Sequence, residues 1–475
     1  MASSKNLLKD VPKPLFQSFM FGIATCFTSC LLLALFSFII FLGRNPQSLM
    51  LSPRVLTDAA GSPPFIPSNT CENGKNATKD LNSSPTFLPS ATSLNTHCTT
   101  APNNHSGVIQ DPNLLKNKNW SIGSWVEGGH GDLASCDLFD GRWVADDLSP
   151  SYPPATCPFV DNAFDCFGNG RADLNYMKLR WQPKGCRIPR LEGKRMLELL
   201  RGKRLVFAGD SLNRNMWESL LCILRNSLRS KQRVFEIAGR TEFRTNNSFA
   251  VRFIDYNCSV EFFRSPFLVQ PWARVDANGQ RRETLRLDLI EESSSKFQNA
   301  DVIVFNSGHW WTHEKTSRGK NYYEEDGHVY PQLSAAEAYR KAMRTWARWV
   351  DTHIDSKQTR VFFRGYSSSH FSGGQWSSGG TCNGETLPIA NDKHGAKYPA
   401  LMQILESVIE EMRTPVLYLN ITRMTDYRKD AHPSVYRQPM AQRKTGALQD
   451  CSHWCLPGVP DAWNELLYAM LLRGS

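Results

Sequence analysis

The C-terminal two thirds of the chain predict an α/β fold: an open parallel sheet flanked by helices, with a cysteine-stapled, loop-rich segment wrapping the core. Three observations point there. From residue 203 onward, short apolar runs alternate with helical patterns, as in strands buried on both faces and covered by crossover helices. Three of the four runs end in unusual polar sequences, and ligands of open α/β sheets gather at the carboxyl ends of strands. Nine cysteines fall beyond residue 130, in a composition typical of a chain with a substantial core, 41% hydrophobic and 21% charged.

The elements follow in order. Arg204–Ala208 (RLVFA) is a strand, followed by Gly209-Asp210-Ser211 and a helical pattern through NRNMWESLLCILRNSL. Asp301–Phe305 (DVIVF) is a second strand, ending in NSGHWW. Ser334 and Glu337 form a capping box that opens a helix through AYRKAMRTWARWVDTHI. Arg360–Phe363 (RVFF) is a third strand, running into RGYSSSHFSGGQW. A helix over Ala400–Met412, a strand at Val416–Leu419 and a last helix after Pro460 complete the core, with no internal repeat and no second catalytic domain.

The N-terminal part is different. Residues 1–18 read as a cytoplasmic tail and residues 19–42 as a transmembrane signal anchor: 24 residues without a charge, enough to cross about 30 Å of hydrocarbon. Lys5, Lys9 and Lys13 precede the span against Asp10, and Arg44 follows it, which favours a cytoplasmic N-terminus. Residues 43–133, rich in Pro, Ser, Thr and Asn, read as a disordered stem. Residues 134–475 form the lumenal body, divided into a Cys-rich part (134–190) and the sheet-bearing core (191–475). Of 13 cysteines, Cys26 and Cys30 lie in the span and Cys71 and Cys98 in the stem; the remaining nine fit an oxidising compartment. Glycosylation sequons stand at Asn76, Asn82, Asn104, Asn119, Asn246, Asn257 and Asn420. The net charge of +10 suits an acidic partner, a uronic-acid-bearing polysaccharide or an anionic membrane surface, or simply a solvated basic face. No basic stripe accompanies a nucleic-acid-binding motif, so no nucleic acid partner is expected.

Ser211 is the candidate nucleophile. It sits where a strand gives way to a helix, so its hydroxyl projects at the sheet edge beside the N–H groups of a helix N-terminus, its own N–H among them. Gly209 permits the tight exit from the strand. The bland alternative is that Ser211 caps the helix. A serine nucleophile needs a base, and the base a carboxylate; Asp450-Cys451-Ser452-His453 supplies both near the C-terminus, fixed by cysteines, Trp454 and a Pro-Gly turn. Cys451, His453 and Cys455 as zinc ligands are the alternative there, though C-x-H-x-C lacks the usual spacing.

The order Ser211 … Asp450-x-x-His453 resembles the SGNH/GDSL esterase superfamily. The longer segments FAGDSLNRNMWESL, NSGHWW, FFRGYSSSHFSGGQW and DCSHWCLPGVPDAWN, with CDLFDGRWVADD, are similar to the plant trichome birefringence-like family, near the branch of the trichome birefringence protein itself. That resemblance runs from about Cys136 to the C-terminus. It implies an SGNH/GDSL-like core in a Golgi type II membrane protein that O-acetylates cell-wall polysaccharide, xylan or pectin. It further implies that Ser211 carries the acetyl group, that His453 acts as base and then acid, and that Asp450 orients His453. Its disulfide pattern suggests Cys136–Cys186, Cys157–Cys222, Cys166–Cys455 and Cys382–Cys451, with Cys258 unpaired.

Around the triad, Asp210 is a site candidate, and Asn306 is either an oxyanion donor or a strand-end cap. Arg214 and Asn215 either face the site or cap the helix. His309, Trp310 and Trp311 form a sugar-stacking wall or pack into the core, and His370 lines the acceptor groove or is structural. No metal and no bound cofactor are expected. An acetyl donor is required, acetyl-CoA or a carrier-delivered acetyl group, and a donor transporter is a candidate partner beside the polysaccharide and the Golgi membrane. The rival readings are a polysaccharide O-acetylesterase and a non-catalytic pectin-binding or bridging wall protein.

Overall fold

The computed structural model describes residue 133 and residues 135–473, apart from 243–247, 276–278, 391–396 and 445. The predicted tail, membrane span and stem, the cysteines within them, and the sequons at Asn76, Asn82, Asn104, Asn119 and Asn246 lie outside the described residues. Among the described residues no helix is long and apolar enough to cross a membrane. Asn257 is exposed, while Asn420 is half-buried and its sequon partner Thr422 is buried.

Thirteen strands are described: β1 (Gly141–Ala145), β2 (Leu179–Pro183), β3 (Arg204–Gly209), β4 (Val234–Glu236), β5 (Ser248–Phe253), β6 (Cys258–Arg264), β7 (Val269–Val275), β8 (Arg281–Ile290), β9 (Val302–Phe305), β10 (Tyr323–Glu325), β11 (His328–Val329), β12 (Arg360–Arg364) and β13 (Val416–Leu419). The helices are α1 (Gly193–Leu199), α2 (Ser211–Asn226), α3 (Ala335–His353), α4 (Ala400–Glu410), α5 (Thr422–Asp426) and α6 (Val459–Arg473). The main sheet has the order β13-β12-β9-β3-β6-β5-β4. Its first five strands pair in parallel, whereas β5 pairs antiparallel with both β6 and β4. The four predicted strands are β3, β9, β12 and β13.

The sequence reading assigns no strand between residues 234 and 290, and five lie there. They make the sheet mixed rather than wholly parallel and contribute β7 and β8 to a second sheet, ordered β11-β10-β8-β7. The reason is local. In β5, Ser-Phe-Ala-Val-Arg-Phe alternates half-buried and buried residues; β7 is exposed over Pro271–Ala273, and β8 opens with the exposed charges Arg281, Arg282 and Glu283. Half-solvated antiparallel strands do not present the continuous apolar run of a central parallel strand.

Alternation along β3 and β9 divides the interior into two cores. Leu205, Phe207, Val302 and Val304 pack with residues of α1, α2 and α6. Val206, Ala208, Ile303 and Phe305 pack on the other face with residues of α3, α4 and the second sheet. Ser334 caps α3, its Oγ accepting from the Glu337 N–H at 3.2 Å. The Cys-rich segment adds the β1–β2 hairpin. Its Trp143 indole donates to the Met424 carbonyl at 2.7 Å, and the Arg473 Nε at the end of α6 donates to the Leu133 carbonyl. It thus wraps a core whose last helix reaches back to it.

Within the main sheet the chain leaves β3, returns in β6 on one side, then crosses to β9 on the other. β3 is therefore the point at which the strand order reverses, where crevices open in such sheets. Ser211 follows it.

Candidate active site

The helix begins at Ser211, but the cap is Asp210: its Oδ1 accepts from the Leu212 N–H at 2.9 Å. The capping reading of Ser211 is thereby corrected. With the preceding carboxylate taking that role, the serine hydroxyl is free for other chemistry. It meets His453, whose Nε2 is 2.7 Å from Ser211 Oγ. On the far side of the ring, His453 Nδ1 is 2.8 Å from Asp450 Oδ2 and 3.1 Å from Oδ1. Burial alone would raise the Asp450 pKa. The His453 charge outweighs it, together with N–H donors from His453 and Ser452, and holds the carboxyl well below the usual carboxylate range. An ionised carboxylate only accepts, so Nδ1 carries a proton, and in the neutral form of the ring Nε2 is left to accept from the Ser211 hydroxyl. As the first residue of α2, Ser211 also offers a backbone N–H at a helix N-terminus.

Residues 188–470 match the model of the GDSL/SGNH-like acyl-esterase family found in Pmr5 and Cas1p, and residues 134–187 match the PMR5 N-terminal domain. The chain belongs to this acyl-esterase family. Among curated relatives, it is 59% identical over 347 residues to protein trichome birefringence-like 4 of Arabidopsis thaliana, covering 72% of this chain and 76% of the relative. It is 55% identical to protein trichome birefringence over 363 residues (76% of this chain, 59% of the relative), and 57% identical to protein trichome birefringence-like 1 over 344 residues (72% and 62%), both of Arabidopsis thaliana. The chain thus aligns with less than two thirds of the length of those two.

In this member of the acyl-esterase family, most of the predicted substrate contacts hold the site from behind. Asn306, fully buried, closes on Asp210: its Oδ1 accepts from the Asp210 N–H at 3.0 Å, and its Nδ2 donates to Asp210 Oδ1 at 2.8 Å. Gly209 is required by this approach, because a Cβ there would lie 1.8 Å from Asn306 Oδ1. His309 is also turned inward, with Nδ1 3.0 Å from Asp210 Oδ2 and its ring stacked on Tyr366 at 4.3 Å. Burial would raise the Asp210 pKa, but His309, Arg364 and Asn306 together hold it well below the carboxylate range.

Arg214 does not face the site. It bridges Asp161 and Glu218 at 2.8 and 2.6 Å, with its guanidinium 4.9 Å from the Phe164 ring centroid, and Phe164 packs against the His453 ring. Asn215 faces the base loop: Oδ1 accepts from the Trp454 N–H at 2.9 Å, and Nδ2 donates to the Trp454 carbonyl at 3.1 Å. Residues four apart share a helix face, so Ser211–His453 and Asn215–Trp454 are two rungs joining α2 to the loop. Trp311 is core, buried against Tyr323 and Tyr339, whereas Trp310 remains half-exposed.

The four disulfides Cys136–Cys186, Cys157–Cys222, Cys166–Cys455 and Cys382–Cys451 are formed, and Cys258 is buried and free. Both cysteines of the C-x-H-x-C sequence are therefore oxidised, which removes two of the donors a zinc reading needs. Sequence reasoning missed His432. Its Nδ1 donates to the His453 carbonyl at 2.7 Å, and its ring stacks on Trp454 at 4.1 Å. Burial, reinforced by the neighbouring His370, pushes its pKa down to about 3. His370 sits 2.7 Å from His432, and its N–H donates to the Cys451 carbonyl at 3.0 Å, a supporting position rather than a groove wall. Nothing in the surroundings of His432 in the chain, Asp430-Ala431-His432-Pro433, signals this role.

Proposed function

We propose that this chain is a Golgi type II O-acetyltransferase that modifies plant cell-wall polysaccharide through an acetyl-Ser211 intermediate. The observation that carries the reading is the continuous chain Ser211 Oγ, His453, Asp450 at 2.7 and 2.8 Å, supported by membership of an acyl-esterase family. In the first half-reaction Ser211 Oγ attacks the donor carbonyl while His453 Nε2 takes the hydroxyl proton. The oxyanion faces the α2 N-terminus, and the proton then passes from His453 to the departing donor group. In the second half-reaction an acceptor hydroxyl gives its proton to His453 and attacks the acetyl-serine, and His453 returns that proton to Ser211. Asp450 stabilises the imidazolium in both. The donor is acetyl-CoA or an acetyl group delivered by a transporter partner across the Golgi membrane, to which the segment 19–42 anchors the chain.

A second reading, polysaccharide O-acetylesterase, is favoured by the family's acyl-esterase description; it differs only in water replacing the acceptor hydroxyl. Incubating the full-length protein with an acetyl donor and a panel of wall oligosaccharides, with mass spectrometry of the products, separates them. Acetylated oligosaccharide is expected. Release of acetate from acetylated polymer, with no transfer to any acceptor, would overturn the transferase reading.

A further inference from the structure

Among the described residues, two cations stand beside the site without an anion. β6 pairs with β3 so that Arg264 lies opposite Gly209, which places it at the strand end beside the residues leading into Ser211. Arg264 is exposed. Lys315 comes from the loop after β9, and its ammonium lies 4.4 Å from the Trp310 ring centroid and 5.4 Å from that of Trp376. The Arg264 guanidinium lies 5.5 Å from the same Trp310 ring, whose plane is fixed edge-on by Phe267 at 5.7 Å. Trp376, from the loop after β12, is 41% exposed, so an indole face is open to solvent beside a cation.

Neither cation makes an ion pair among the described residues. Burial lowers the Lys315 pKa against the pull of Asp210 and Asp450, whose charges therefore reach it. Those two carboxylates are engaged elsewhere, Asp210 by His309 and Asn306, Asp450 by His453. The rim of the site is left with uncompensated positive charge set against an aromatic face.

We infer that Lys315, Arg264, Trp310 and Trp376 form an acceptor subsite that takes a uronic acid residue, its carboxylate between the two cations and its pyranose face on an indole. This rests on the acyl-transfer reading and narrows its acceptor to an acidic glycan. A neutral sugar would use the indoles and leave the cations desolvated and unpaired, which is the less favourable arrangement.

The test is binding of oligogalacturonate, its fully methyl-esterified form, and xylo-oligosaccharides with and without a glucuronate branch to the full-length protein. The acidic member of at least one pair should bind about tenfold more tightly than its uncharged counterpart, and the pair that discriminates identifies the polymer. Lys315→Met and Arg264→Gln should each abolish most of that preference, and Lys315→Arg should retain it. Equal affinity within both pairs, or a preference unchanged in Lys315→Met and Arg264→Gln, would overturn the inference, as would displacement of the acidic glycan by coenzyme A. Acylation of wild-type Ser211 by p-nitrophenyl acetate, followed alongside, reports on the nucleophile independently. Its absence would sink the acyl-transfer reading, whereas its presence with no acid preference would sink only the subsite.

Discussion

Asn215 offers a separation of positioning from chemistry, because its side chain hydrogen-bonds to Trp454 rather than to Ser211 or His453 and so sets how α2 meets the base loop. Asn215→Ala removes two hydrogen bonds, at 2.9 and 3.1 Å, and leaves the buried N–H and carbonyl of Trp454 unpaired. Each of the two orphaned groups costs about 1–3 kcal/mol, so the variant should lose about 2–6 kcal/mol. Against a typical stability of about 5–15 kcal/mol the fold survives, the more so because Cys451 and Cys455 remain tied to Cys382 and Cys166. The loop, however, loses its lower rung. A displacement of about 1 Å at a reacting pair costs roughly a hundredfold in rate. Single-turnover acylation by p-nitrophenyl acetate, measured well below the lowered Tm, should fall by about that factor with affinity for the ester little changed. Should the folded variant acylate within about twofold of wild type, the two-rung account of how α2 aligns the site is wrong.

Further outcomes follow from the same geometry. Asp450→Asn places an amide against His453 Nδ1 and favours the tautomer with its proton on Nε2; acylation should drop about 10³–10⁴-fold, and a loss under tenfold would contradict the assigned role. Gly209→Ala drives a methyl to within 1.8 Å of Asn306 Oδ1, so Asn306 must release Asp210. Loss of both acylation and about 2–4 kcal/mol of stability is expected, and unchanged thermal unfolding would refute the close-approach argument. Burial, with the charge of Asp161 adding to it, raises the Glu218 pKa from 4.5 to about 8 despite Arg214. A carboxyl whose folded pKa is raised binds its proton more tightly in the folded state. Its contribution is therefore full below the unfolded value and is lost as pH rises through about 8. Urea midpoints of Glu218→Gln should accordingly fall less than those of wild type between about pH 5 and 9; parallel curves would show that Glu218 stays ionised.

What the sequence disclosed was the part of the site whose chemistry is carried by residue type at a strand end. Val302–Phe305 and Arg360–Arg364 are apolar runs that announce central strands, and a Gly-Asp-Ser sequence between strand and helix announces a reactive corner. What it concealed depends on partners far away in the chain. Asn215 and Trp454 are 239 residues apart, and Asn306 and Asp210 are 96 apart, so a helix-face asparagine and a strand-end asparagine both resembled substrate contacts while serving as clamps. Asp210 lay beside Ser211 in plain view, yet only the backbone geometry decides which of two adjacent capping residues takes the cap. The disulfide connectivity came from family resemblance, since the spacing of nine cysteines permits many pairings. His432 had no local signal at all, because its role is to hold a carbonyl on a loop that arrives from another direction.

The most direct measurement is the site of covalent modification. Full-length protein, quenched soon after mixing with an acetyl donor and digested, should show an acetyl group on the peptide bearing Ser211. The modification should be lost in Ser211→Ala and should disappear on addition of a productive acceptor. Transfer that proceeds undiminished in Ser211→Ala, or an acetyl group found only on another residue, would contradict the account.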